Sequence, residues 1–197
     1  MTESTGAKMS AIETATQYSI NPGLSRLTVR AFASGMLSSF GHNPTLAVRG
    51  YSGQMSVVPG NLQQASLHVS VLADSLEVTD EVSQKDRTEI ETRMRQEVLE
   101  TSKYLEIIFE STQISSTPLS DTLYAVTVTG NLTLHGVTRA EAVTAQVTLT
   151  GDTLRAYGEF SLRQTDYEIK LVSVAAGALK VKDEVKVTFD ITARKQE

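Results

Sequence analysis

Hydrophobic and polar residues alternate along most of this chain, and the longest run lies between Tyr124 and Arg139. Tyr124, Val126, Val128, Leu132 and Leu134 share one parity, while Ala125, Thr127, Thr129, Asn131, Thr133 and His135 share the other. Successive side chains of an extended chain point to opposite faces. The stretch therefore reads as a strand, or a pair of strands, with one apolar and one polar face. Gly130 interrupts it and predicts a bend, a bulge or a close backbone approach.

The same alternation recurs on both sides. Tyr18-Ser19-Ile20 can open a short strand, and Asn21-Pro22-Gly23 is a turn signal. Leu27 to Ala33 alternates, Ser34 to Pro44 is a small-residue loop, and Thr45 to Val58 is extended again with Gly50 and Gly53 interrupting. Pro59-Gly60-Asn61 predicts a turn before a strand at Ser66–Val78, with Leu67, Val69 and Val71 inward and Ser66, His68 and Ser70 outward. Later strands are expected at Leu105–Thr112, Ala142–Thr150, Leu154–Leu162 and Val185–Ala193. Arg163 to Leu179 is less regular, and residues 1–16 read as a disordered N-terminal segment ahead of a single domain over 17–197.

One segment breaks the period. Residues 80–104 are dense in Glu, Lys and Arg and contain no Gly or Pro. Ile90, Met94 and Val98 recur every four residues with Leu99 beside them, the apolar stripe of an amphipathic helix. Asp80 is the expected N-cap, and Glu81 suits the positive end of the helix dipole. The stripe fits a solvated surface helix or a lid across one end of a cavity.

About eight sequential strands joined by short loops favour antiparallel hairpins, and such a sheet commonly closes into a barrel without edges. An eight-stranded barrel has room for side chains or for one small ligand. The fold class is thus all-β: an antiparallel barrel of about eight strands with one inserted helix at about 80–104. The inward list is rich in Val and Ala, which favours a cavity over a filled core.

At 197 residues and a formal net charge of −5, the chain is an acidic domain, not an obvious partner for nucleic acid. It has no cysteine, so disulfides, thiolate metal sites and a thiol nucleophile are excluded. Met1–Thr16 lacks the apolar core of a secretory signal, and no window reaches the length of a membrane span. The expected location is cytoplasmic, or periplasmic if a leader was removed.

Signals for chemistry are few. None of His42, His68 and His135 has a metal-ligand neighbour at helical or ribbon spacing, so neither a metal nor a cofactor is expected. His68 and His135 sit on the polar parity and are expected on the solvated outer face. His42, in Phe40-Gly41-His42-Asn43-Pro44, could line a barrel mouth and bond the polar head of a ligand. There is no nucleophile elbow and no glycine-rich phosphate loop. Asp166 and Tyr167, after Arg163, read as a polar cluster that anchors a loop.

Taken together, these segments resemble the YceI-like, or polyisoprenoid-binding, proteins. The most specific piece is Gly130-Asn131-Leu132-Thr133-Leu134-His135-Gly136-Val137-Thr138-Arg139. Phe109-Glu110-Ser111-Thr112, Leu72 to Val78, Phe160 to Tyr167, Lys182 to Val185, Gly41-His42 and Gly53 add to it in order and spacing. The resemblance runs from about Tyr18 to the C-terminus. It implies a lipocalin-like barrel around an elongated apolar tunnel for a long isoprenoid or acyl chain, and family members often pair as dimers. Glu168 departs from the pattern, standing where the family usually has glycine.

The leading reading is a non-enzymatic carrier of a long apolar molecule: a polyisoprenoid, an isoprenoid quinone or a fatty acyl lipid. Its expected lining is Val69, Val71, Val126, Val128, Leu132, Leu134, Val147, Phe160, Leu162, Val187 and Phe189. One alternative is an enzyme for a small apolar substrate with His42 as acid or base. The other is an interaction module that docks a partner through the helix at 80–104.

Overall fold

A sheet with one apolar face can hide that face by curling until its first and last strands meet. The computed structural model, which describes residues 15–34, 43–58, 60–174 and 179–197, shows this arrangement. The strands are β1 (Thr16–Ile20), β2 (Arg26–Arg30), β3 (Ala33–Ser34), β4 (Thr45–Val48), β5 (Tyr51–Val58), β6 (Asn61–Leu72), β7 (Leu76–Val78), β8 (Glu106–Pro118), β9 (Leu123–Leu134), β10 (Val137–Thr150), β11 (Thr153–Arg163), β12 (Ser173–Val174), β13 (Leu179–Val181) and β14 (Glu184–Lys195). Strand β1 pairs with β5 on one side and β14 on the other, so β1, β5, β6, β8, β9, β10, β11 and β14 close an eight-stranded antiparallel barrel.

Three of the eight staves are bent. The order β14-β2-β4-β7 repeats β14-β1-β5-β6 at the other end of the barrel, so β2, β4 and β7 continue β1, β5 and β6 past a break. Each break has a local cause. Asn21 accepts a hydrogen bond from the Gly23 amide at 3.0 Å and starts a single 3-10 turn at Pro22–Leu24. Arg49–Gly50 separates β4 from β5, and a 3-10 turn at Ala73–Ser75 separates β6 from β7. Strands β12, β13 and β3 form a small separate sheet.

The opening stretch of alternation is a hairpin, β9–β10, and its turn is His135–Gly136 rather than Gly130. Both turn residues have left-handed backbone, φ 52° and 76°, as a tight two-residue hairpin turn requires. The hydroxyls of Thr133 and Thr138 lie 2.8 Å apart across the strands and mark the register. Gly130 is instead a close approach: an added Cβ would sit 2.5 Å from the Glu110 carbonyl oxygen.

The helical segment is shorter than the period predicts. Helix α1 spans Gln84–Arg93 and continues as a wider turn through Met94–Val98. The N-cap is Ser83, whose hydroxyl accepts from the Asp86 amide at 3.1 Å. Asp80 is used elsewhere: its carboxylate accepts from the Thr45 amide at 2.6 Å and ties the chain to β4. Glu100, at φ 44°, ends the segment.

The helix covers the one ring position left open. Strand β7 pairs with β4 on one side and, among the described residues, has no strand on the other. Its free edge is met by charged side chains. The Val78 amide donates to Glu91 at 3.0 Å, Arg87 donates to the carbonyls of Val78 and Asp80, and Arg95 donates to the carbonyl of Leu76 at 3.2 Å. An exposed edge would otherwise invite pairing with another chain.

The core has two parts. At the helix end, Leu46, Val48, Val71, Leu76, Val78, Met94, Leu132, Leu134, Leu162 and Val187 pack together. At the far end, Tyr18, Val57, Leu62, Ile114, Val126, Val147, Leu154 and Ala193 form a second cluster. Residues 1–14, which cover most of the expected disordered N-terminal segment, and 35–42 of the expected loop lie outside the described residues. Thr16 already pairs with Val57 in β1.

Candidate functional site

The inward parity of each stave faces a cavity of about 640 Å³ that runs along the barrel and touches both core clusters. All eleven positions expected to point inward reach its wall: Val69, Val71, Val126, Val128, Leu132, Leu134, Val147, Phe160, Leu162, Val187 and Phe189. The period-2 pattern suffices to find them, because one face of every strand is buried and register cannot slip by one residue.

Two inward glycines shape this wall. Gly158 is paired with Phe189, and an added Cβ would come within 2.6 Å of the Phe189 ring and collide with the Thr144 carbonyl. Gly130 stands in the same relation to Phe109, whose ring end is 2.6 Å from the Cβ position. Each glycine thus leaves a notch that takes an aromatic ring close against the neighbouring strand. Isolated glycine within a strand pattern is the usual signal of such an approach, yet only Gly130 stood out in the sequence.

Polar groups gather at the helix end. Asp86, Glu89 and Arg93 of α1, Gln164 after β11 and Lys180 of β13 contribute to the lining there. Arg93 pairs with Glu89 at 3.2 Å and with Glu97 at 3.7 Å. Gln164 is buried and donates through Nε2 to the Lys182 carbonyl at 2.9 Å. No periodicity marks these residues, because the mouth is assembled from three separate connections. Toward the far end the lining is apolar apart from Ser66, with the small residues Ala65, Ala145 and Ala156 among larger ones.

The stripe of α1 is turned inward. Met94 and Leu99 are buried, Ile90 and Val98 pack against the same core, and all four line the cavity. A lid and a surface helix would both turn their stripe inward in this way, and the exposed stripe that would have favoured the interaction-module reading is not observed.

The histidines fall in three different places. His42 lies outside the described residues. His68 is on the outer face as expected, 3.3 Å from the Glu110 carboxylate. His135 is not solvated, contrary to expectation: its side chain is only 9% exposed. Its Nδ1–H donates to the Tyr167 carbonyl at 3.2 Å, Nε2 lies 2.6 Å from a Glu100 carboxylate oxygen, and the Tyr104 ring packs against it with centroids 4.3 Å apart. Strand parity fails here because a turn residue follows no alternation.

The Asp166–Tyr167 cluster holds a connection in place beside this histidine. Tyr167 is fully buried, and its hydroxyl donates to Glu141 at 2.7 Å. Burial and that carboxylate partner push the phenol well above its ordinary range. Arg139 donates to the Asp166 carbonyl. Nearby, the Thr165 amide and hydroxyl and the Arg163 guanidinium hold the Asp183 carboxyl below the usual carboxylate range. No group of side chains among the described residues could hold a metal ion, and no helix there is long and apolar enough to cross a membrane.

Comparison with known proteins agrees with this architecture. No curated protein matches the chain in sequence. Among solved structures, Burkholderia cenocepacia BcnA is similar at 18% identity with a TM-score of 0.68, over 88% of this chain and 98% of that one. A polyisoprenoid-binding domain from Saccharophagus degradans, implicated in plant cell wall breakdown, is similar at 17% identity and TM-score 0.65, over 91% and 98% of the two chains. The Campylobacter jejuni YCEI protein aligns at 13% identity and TM-score 0.60, over 80% and 88%. At these identities the likeness is one of fold. The sequence itself matches the YceI-like domain over residues 18–193, and the chain belongs to the YceI-like family.

Proposed function

We propose that this protein binds and carries an apolar chain molecule inside its barrel, without catalysing a reaction. The observation that supports this most is the wall of the 640 Å³ cavity, apolar along its length and polar at one end. Each methylene moved from water to such a wall gains about 0.8 kcal/mol. A dozen or more would offset the cost of immobilising the chain. The similar Saccharophagus degradans domain is described as polyisoprenoid-binding, which favours the same class of cargo here. A polyisoprenoid, an isoprenoid quinone or a fatty acyl lipid all meet the requirement, with the polar head at the helix end.

The test is titration of a fluorescent fatty acid into the wild type and into Val128→Arg. Val128 lies midway along the lumen wall. Binding by the wild type and its loss in a folded Val128→Arg variant supports the carrier reading. Equal binding by both removes the lumen as the site.

A further inference from the structure

We infer that Gln164 reads the head of the cargo: its side-chain oxygen accepts a hydrogen bond from a neutral hydroxyl, so the barrel prefers a long-chain alcohol to a carboxylate or an ether of the same chain. The inference rests on the carrier reading and adds the chemistry of the head to it.

Gln164 is the buried polar residue among those described, 7% exposed, and it also lines the cavity. Its backbone is fixed on both sides. The amide donates to the Asp183 carbonyl at 2.9 Å, and the carbonyl accepts from the Ile169 amide at 3.2 Å. The side chain is fixed as well, because Nε2 donates to the Lys182 carbonyl at 2.9 Å. A carbonyl can only accept, so the amide nitrogen must face it and the direction of Oε1 follows. Among the described residues nothing donates to Oε1. No sealed side-chain nitrogen or oxygen among them lacks a partner, so Oε1 keeps accessible surface, on a residue that opens to the cavity.

This oxygen sets a condition on what fills the lumen. A chain lying there excludes water, and the head beside Gln164 must then bring a hydrogen or leave the acceptor unpaired in an apolar wall. A hydroxyl brings one. An ether or a carboxylate does not. The charges of the lining give an anion no compensating site. Asp86 and Glu89 balance Arg93 and Lys180. Arg93 is already engaged by Glu89 at 3.2 Å and Glu97 at 3.7 Å. Lys180 is exposed, where a pair with a carboxylate contributes little.

The experiment uses the full chain and phosphatidylcholine vesicles carrying equal amounts of cetyl alcohol, cetyl methyl ether and palmitate at neutral pH. After incubation the protein is separated and extracted, and the ratio of bound to vesicle lipid is measured for each. The three chains match, so differences report the head. The alcohol should be the preferred cargo of the wild type, and its advantage over the ether should fall about tenfold in Gln164→Leu and in Gln164→Met. A merely structural role for Gln164 would lower uptake of alcohol and ether together and leave their ratio unmoved. An unmoved ratio in either folded variant overturns the inference. So does a wild type that takes up as much ether or palmitate as alcohol, a comparison that needs no variant to fold. Both of these results leave the carrier reading intact. Failure to extract any of the three from the wild type overturns the carrier reading itself.

Discussion

Nε2 of His135 lies 2.6 Å from the carboxylate of Glu100, and this contact joins the β9–β10 hairpin to the end of the helical segment. The residues around it carry strain. Glu100, His135 and Glu168 are the non-glycine residues with positive φ among those described, and all three converge here. His135 bonds Glu100 through one nitrogen and the carbonyl preceding Glu168 through the other. The strained backbone is held by this shared hydrogen bonding. His135→Ala should cost about 1–2 kcal/mol, from two lost hydrogen bonds and the contact with Tyr104. Urea melts of His135→Ala, Glu100→Ala and the double variant should give a coupling of about 0.5–1 kcal/mol. Strict additivity would mean that the contact contributes nothing.

Glu168 has left-handed backbone, φ 57°, a conformation that favours glycine. Only glycine adopts this backbone without a Cβ penalty. Glu168→Gly should raise the unfolding free energy by up to about 1 kcal/mol, whereas β-branched Glu168→Val should lower it by more than that. A thermal melt ranks the three proteins, and the order glycine, glutamate, valine is expected.

Gly158 tests the notches of the wall. An added methyl meets both the Phe189 ring and the Thr144 carbonyl, neither of which can withdraw without moving a strand or narrowing the lumen. Gly158→Ala should cost about 1–3 kcal/mol by overpacking. The double variant Gly158→Ala/Phe189→Leu should regain part of that loss. Measurement of both by urea denaturation separates a steric notch from a loss of backbone freedom, which the second substitution would not repair.

The free edge of β7 depends on the helix. Glu91→Ala leaves the Val78 amide without its acceptor, at a cost of about 1–3 kcal/mol. Hydrogen exchange of that amide should accelerate while the amides of β9 stay protected. Unchanged exchange at Val78 would show that the carboxylate is not its partner in solution.

Stability in acid should depend on Asp183. Its folded carboxyl lies below the unfolded value of about 3.9, so the native state binds fewer protons than the unfolded state. Its contribution is fully present above that value and is lost as pH falls through the depressed one. Asp183→Asn should therefore be less stable than the wild type near neutrality, with the gap closing toward the most acidic conditions in which both remain folded. Melting temperatures across this range check the sign.

Much of the fold was legible in residue order. Parity along Tyr124–Leu134 and its counterparts placed all eleven expected inward residues on the cavity wall, because a closed barrel has one inside and every strand obeys it. The stripe of Ile90, Met94 and Val98 was legible for the same reason. Where local rules compete, the sequence was less informative. Asp80 and Ser83 are both good caps, and Asp80 was drawn away by the Thr45 amide across the sheet. His135 sits at a turn, where alternation carries no information. The polar lining residues Arg93, Gln164 and Lys180 come from segments far apart in the chain, so no spacing could join them.

The central claim is that the lumen holds an apolar chain. Native mass spectrometry of the protein purified from its own cells, followed by solvent extraction, tests it most directly. The account predicts a stoichiometric apolar molecule of defined mass that leaves with the solvent. Protein that emerges without cargo, and that then takes up neither lipids nor quinones on titration, would contradict it.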